Sequence, residues 1–331
     1  MSRIAVLGGG SWGTTLADML CGKGFETRIW VREPELVQEI RDQGENTWFL
    51  PGVKLCPDLM ASDSPQEVMR GADYFLVAIP TQFLRFGLES VRDLFPPSPI
   101  IICASKGVEL STLKPMSAVV DEALHGRDPR YAILSGPSFA KEVSQRLPTA
   151  VSLGCADQDL GRQLQDTMST DFFRVYANTD YKGVELGGAL KNIMAIAAGI
   201  SDGLEFGHDA RAALITRGLV EMGRFGVALG GKERTFMGLS GMGDLVLTCT
   251  GDLSRNRQVG LKLGRGMSLQ EILEGSRMVA EGVKTTESVW HLAREMGVDM
   301  PITEQIYQVL FRDKDPKRAV QDLMARELKM E

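Results

Sequence analysis

The sequence is poor in the residues that build metal centres and disulfide frameworks. Its five cysteines are dispersed over 331 residues without a CxxC pair, and the three histidines, His125, His208 and His291, share no ligand spacing. No metal site is signalled, and reduced thiols are the expected state. A basic excess is missing too: the net charge is -6, which gives no overall footprint for nucleic acid or an acidic membrane surface. No uninterrupted apolar stretch reaches membrane-spanning length, and no charged leader precedes the first strand-like run. Stable membrane insertion and export are therefore not expected, and a cytoplasmic protein with small-molecule partners is. With 44% hydrophobic and 24% charged residues, the chain has the composition and length for two domains, each with its own core.

The first apolar run, Arg3-Ile4-Ala5-Val6-Leu7, reads as a buried strand. Gly8-Gly9-Gly10-Ser11-Trp12-Gly13 follows at once, then a helical pattern from Thr14 to Lys23, so GxGxxG stands in the strand-turn-helix setting it requires. Gly8 permits the tight turn, Gly10 lets backbone approach a pyrophosphate, and Gly13 lets helix and strand pack closely. Helix amides then face the phosphates, and a dinucleotide site is expected. After a second strand, Thr27 to Val31, Arg32 and Glu33 occupy the place of the ribose-reading residue. A guanidinium there favours a 2'-phosphate, so Arg32 points to NADP(H) or to dual use with NAD(H); a solvated arginine beside Glu33 is the plain alternative.

Asn46 to Gly52 form a loop with aromatic anchors, suited to packing over a neighbour or filling a groove. Tyr74 to Ile79 and Ile100 to Ala104 are near-continuous apolar runs, as strands buried on both faces of a parallel sheet must be. Ser105-Lys106-Gly107 then falls beyond a strand's carboxyl end, where such sheets bind ligands, which makes Lys106 a candidate. Tyr131 to Leu134 leads into a second tight turn, Ser135-Gly136-Pro137-Ser138-Phe139-Ala140, expected to border the same crevice. Thr149 to Leu153 and Phe172 to Tyr176 complete the strands, and from Lys182 the pattern is helical. The expected fold is α/β: a Rossmann-type, doubly wound, mostly parallel sheet over residues 1–180, then an all-α domain over 181–331.

Between Glu185 and Asp202 the one ionisable side chain is Lys191, in a run apolar enough to be an interior helix. Val184, Gly187, Gly188, Ala195 and Ala198 lie near its azimuth, which describes either a pocket wall around a working amine or helix packing beside a snorkelling one. Further on, Asp244 follows the turn Gly241-Met242-Gly243, where capping is the simplest role. Ser254-Arg255-Asn256-Arg257 offers two guanidiniums and a cap serine at a helix start, suited to a phosphate or to a solvated helix end. Glu281 precedes a glycine and another helix start.

Six stretches in order, GGGSWG at 8–13, SKG at 105–107, SGPSFA at 135–140, ELGGALKNIMAIAAGISDG at 185–203, FMGLSGMGDLVLTCTG at 236–251 and SRNR at 254–257, resemble bacterial NAD(P)-dependent glycerol-3-phosphate dehydrogenase over almost the whole chain. The resemblance implies interconversion of sn-glycerol 3-phosphate and dihydroxyacetone phosphate, supplying glycerophospholipid synthesis. It implies Lys191 as proton donor and acceptor with Asp244 beside it, and Asn192 and Thr248 lining the site. Arg255 and Asn256 match a phosphate clamp, and Lys106, Gly136, Ser138 and Ser254 match substrate contacts. Ser11, Trp12, Arg32, Ala140, Val279 and Glu281 match cofactor contacts, with Lys106 and Arg255 close to the cofactor as well. A related dehydrogenase of a hydroxy acid or sugar acid phosphate, and a non-catalytic NAD(P)H sensor, are the competing readings. A homodimer through the helical domain is expected on general grounds alone.

Overall fold

A computed structural model describes residues 2–274 and 280–328. One sheet holds β1 (Arg3–Leu7), β2 (Glu26–Trp30), β3 (Met60–Ser62), β4 (Tyr74–Val77), β5 (Ile100–Cys103), β6 (Arg130–Ser135), β7 (Thr149–Cys155) and β8 (Phe173–Asn178). Their spatial order is β3-β2-β1-β4-β5-β6-β7-β8. All neighbours are parallel except β6 and β7, which run antiparallel with Leu134 opposite Leu153. Strand order reverses between β1 and β4, so a crevice opens beyond their carboxyl ends, the usual ligand position in such sheets.

Alternation along β1 shows why the sheet is covered on both sides. Ile4 and Val6 join one apolar cluster with Leu16, Leu20 and Ile29, while Ala5 and Leu7 join another with Phe75, Val77 and Ile101. Each such aliphatic side chain taken fully from water contributes about 1.5–3 kcal/mol.

Beyond β8 the chain is helical. The Tyr181–Gly203 helix is buried from Gly183 to Ser201 and is the centre of a third cluster. Asp180 caps it, accepting from Gly183 N at 3.1 Å, and also accepts from Lys232 N at 2.8 Å. A Cβ at Gly199 would stand 2.0 Å from Arg257 O, and one at Gly260 would stand 2.0 Å from Ile196 O. The Arg255–Gly264 helix thus lies backbone against backbone on the core helix. The core helix has the length and mean hydropathy of a membrane span, but Lys191 interrupts its apolar run and its apolar window is 100% buried inside the fold.

Cys21 and Cys56 depart from the expected reduced state: they are joined as a disulfide with Cα atoms 6.1 Å apart. The loop carrying Cys56 folds back on the helix Ser11–Gly22, where Asp18 Oδ1 accepts from Cys56 N at 2.6 Å. Tertiary folding unites thiols that spacing did not mark as a pair.

Candidate active site

The glycine-rich loop closes β1 onto its helix. Gly8 has φ +124°, and a Cβ there would stand 2.7 Å from Ala78 O; one at Gly13 would stand 2.0 Å from Gly8 O. At Gly10 nothing lies within 4 Å, leaving the backbone open to a ligand. Ser11 and Trp12 begin the helix, and Trp12 packs against Phe173 with ring centroids 6.5 Å apart. The Trp12 Nε1 donor is buried without a partner among the described residues. Thr15 Oγ1 sits 2.9 Å from Ser11 O and 3.3 Å from Ala140 O, which draws Ala140 to the same corner. Arg32 projects at the end of β2 with its side chain 84% exposed, paired with Glu33 at 2.6 Å.

Across the crevice, Lys191 is 9% exposed, so its amine does not snorkel to water. Its Nζ donates to Asp244 Oδ1 at 2.6 Å and to Thr248 Oγ1 at 2.9 Å. Lys106 Nζ, arriving from the loop after β5, donates to the other Asp244 oxygen at 2.9 Å and to Gly136 O at 3.2 Å. One carboxylate, 1% exposed, is therefore shared by two ammoniums from opposite halves of the chain. Burial lowers the Lys191 ammonium to about 8 against the raising pull of Asp244, and Lys106 adds to the lowering. Burial pushes the Asp244 carboxyl up, but the two ammoniums hold it below the ordinary value.

Two glycines on the Lys191 face let this cluster close. A Cβ at Gly188 would meet Ser135 Oγ at 2.3 Å and Lys106 Cδ at 3.3 Å, and one at Gly187 would meet Ser240 O at 2.6 Å. Asp244 is not the cap of its helix, Asp244–Thr250; Gly243 holds that position after the wide Leu239–Gly243 turn, and the carboxylate is turned to the lysines.

The phosphate-type corner keeps one of its two guanidiniums. Ser254 caps the helix through Arg257 N at 3.2 Å, as its sequence position suggested. Arg257 is turned away, paired with Asp202 at 2.7 Å and Asp252 at 2.9 Å, which leaves Arg255 exposed at the crevice. Asn256 Nδ2 donates to Asn192 Oδ1 at 2.9 Å while its Oδ1 accepts from Gly282 N at 3.0 Å, so these amides form one chain. Ser138 Oγ donates to Gly136 O at 3.0 Å beside the Lys106 contact. Glu281 Oε1 accepts from Thr81 N at 3.0 Å, bridging to the residues beyond β4, and faces Arg255 electrostatically. Val279 lies outside the described residues.

Sequence reasoning missed Asn46, which is 0% exposed and bonded to the glycine-rich loop, and the Thr81 link to Glu281. The loop character of the Asn46 segment hid it.

An open glycine loop at the switch point of a doubly wound sheet, faced by a helical half carrying a low-pKa amine, is how two-part nicotinamide-dependent dehydrogenases are built, and this chain is of that class. Residues 3–161 match the family model for the NAD-dependent glycerol-3-phosphate dehydrogenase N-terminus, and residues 180–321 match that for its C-terminus. The chain is 63% identical over 329 residues to the glycerol-3-phosphate dehydrogenase [NAD(P)+] of Maridesulfovibrio salexigens, covering 99% of this chain and 100% of the relative. It is 57% identical to the protein of that name from Solidesulfovibrio magneticus, with the same coverage. The crystal structure of glycerol-3-phosphate dehydrogenase from Coxiella burnetii superposes with a TM-score of 0.94 at 41% identity, covering 98% of this chain and 99% of that one. The chain belongs to the NAD-dependent glycerol-3-phosphate dehydrogenase family.

Proposed function

We propose that the protein interconverts sn-glycerol 3-phosphate and dihydroxyacetone phosphate with NAD(P)(H), acts in the cytoplasm chiefly as a ketone reductase, and so supplies glycerol 3-phosphate for glycerophospholipid synthesis. Its dinucleotide-binding domain spans 1–180 and its catalytic domain 181–331. The observation that carries the reading is the amine of Lys191, buried, lowered to about 8 and aimed at a carboxylate it shares with Lys106.

A bound reduced nicotinamide supplies the hydride. The chain supplies position, charge and a proton. The open backbone at Gly10, with Gly8, Ser11, Trp12, Gly13 and Ala140 around it, suits a dinucleotide pyrophosphate, and Arg32 suits its adenosine end. Arg255, with Asn256 beside it at the helix start capped by Ser254, forms the substrate-phosphate clamp through fixed charge at a helix N-terminus. Lys191 protonates the substrate oxygen as negative charge develops there, and accepts the proton in the oxidative direction. Asp244 keeps that amine oriented, Thr248 fixes its angle, and Lys106 adds positive charge next to the forming alkoxide. Lys106, Gly136, Ser138 and Asn192 complete the substrate contacts. A pocket with an ammonium pair and an exposed guanidinium favours a phosphorylated ketone over an uncharged one. The protein is a homodimer in this reading.

The test is oxidation of NADPH and of NADH by the purified protein with dihydroxyacetone phosphate, followed by loss of reduced-nicotinamide absorbance. Substrate-dependent oxidation is expected; none with either cofactor would remove the enzymatic reading.

A further inference from the structure

The glycine-rich loop is held from behind by a residue outside it. Asn46 is 0% exposed, and its Nδ2 donates both to Gly9 O at 2.9 Å and to Thr14 Oγ1 at 2.8 Å. Its Oδ1 accepts from Phe49 N at 3.0 Å, and its own carbonyl accepts from Leu50 N at 2.9 Å. Turning the amide over would set Oδ1 against the Gly9 carbonyl, so the donor side is fixed toward the loop.

A peptide unit is planar and trans, so its C=O and N–H point in opposite directions. With Gly9 C=O drawn toward Asn46, the Gly10 N–H is directed to the opposite side of that peptide, and the Gly10 Cα is itself open, since a Cβ there would meet nothing within 4 Å. Thr14 hydroxyl, 3.3 Å from Gly9 O, steadies the same carbonyl. At its other end the segment is pinned by Cys56, through Asp18 Oδ1 at 2.6 Å and the disulfide to Cys21. The Asn46–Cys56 stretch is thus a brace fastened to the loop and to the helix that follows it.

We propose that Asn46 is a positioning residue for the cofactor pyrophosphate: it sets the plane of the Gly9–Gly10 peptide and so presents the Gly10 N–H to the phosphates. This rests on the loop being the dinucleotide site. It makes the loop's geometry depend on a hydrogen bond 37 residues away in sequence rather than on glycine content alone.

The experiment compares wild type with N46A and N46D for binding of NADPH, ADP-ribose and adenosine, with steady-state kinetics and thermal melts alongside. N46D keeps the size and the acceptor for Phe49 N, but turns a carboxylate oxygen on Gly9 O. Both variants are expected to weaken NADPH and ADP-ribose by about tenfold or more, the loss of a buried donor pair. Adenosine affinity and kcat at saturating cofactor should change by less than about threefold. Unchanged ADP-ribose affinity in the variants, or equal loss for adenosine and ADP-ribose, would overturn the assignment. If N46A does not fold, N46D decides alone. Failure of wild type to bind ADP-ribose would instead sink the cofactor reading of the loop, and the Asn46 assignment with it.

Discussion

Replacing Asp244 by asparagine isolates what the shared carboxylate does for Lys191. The substitution keeps shape and an acceptor but removes the negative charge that lies 2.6 Å from one ammonium and 2.9 Å from the other. The cluster goes from a net charge of about +1 to about +2, with Lys106 still lowering its neighbour. At 2.6 Å and an effective dielectric near 20, the lost attraction is roughly 6 kcal/mol at most, since the amide still accepts a hydrogen bond and water relaxes around the site. Even a quarter of that, at 1.36 kcal/mol per pH unit, moves the Lys191 pKa down from about 8 by about one pH unit. In the proposed mechanism ketone reduction needs the protonated amine, so its rate should fall as pH rises through that pKa, and in the variant the fall should begin at lower pH. Glycerol phosphate oxidation needs the neutral amine, and its acid limb moves the same way. The assay is kcat against pH in both directions at saturating substrates. An alkaline limb of the reduction that stays in place, or moves up, would refute the electrostatic role given to Asp244.

Lys191→Ala should lower turnover by at least ~100-fold with cofactor affinity retained, and near-normal turnover would contradict the proton-transfer role. Arg32→Ala should raise the KM for NADPH well above its effect on NADH, whereas an equal effect on both would return Arg32 to a surface pair with Glu33. Gly260→Ala drives a methyl to 2.0 Å from Ile196 O on the core helix; an overpacking loss of about 3 kcal/mol is expected in urea unfolding, and wild-type stability would refute the close approach. Glu221→Ala removes a buried carboxylate that accepts from Ile302 N and Thr303 N at 2.8 Å each and from Thr303 Oγ1 at 2.7 Å. Roughly 3 kcal/mol of stability should go, and Glu221→Gln, which keeps an acceptor, should cost less.

What the sequence makes legible is what short-range chemistry decides. Gly8 and Gly13 make the close contacts their spacing implies and the backbone at Gly10 is open, because a turn and a helix contact are set within a few residues. Burial of Lys191 could be read because its neighbours carry no charge for several turns. Direction is not written in a strand: β7 has the same apolar pattern whether it runs with β6 or against it, and β3 is too short to show a pattern. Partners far away in sequence were hidden for the same reason. Its place after a glycine turn makes Asp244 read as a cap, and nothing local points to Lys106, 138 residues earlier, on its second oxygen. The second guanidinium offered to a phosphate, Arg257, is held by Asp202 instead, and of the two roles open to the Asn46 loop, packing over a neighbour or filling a groove, the sequence does not name Gly9 as the neighbour.

The same long-range pairing explains why the site sits where two halves meet. Lys106 is placed by the sheet, Lys191 by the core helix, and Asp244 by a third segment after the Leu239–Gly243 turn. No one of these elements brings a charge pair by itself, and the carboxylate is satisfied on both oxygens when all three are assembled. A buried carboxylate that lost either ammonium would face the desolvation cost of an unpaired charge, so the cluster favours the docked arrangement of the halves as well as the ionised amine. The Lys191 pKa is therefore a property of the assembled fold, and any substitution that loosens Lys106 from Asp244 removes the contribution that helps hold Lys191 near 8, moving it upward.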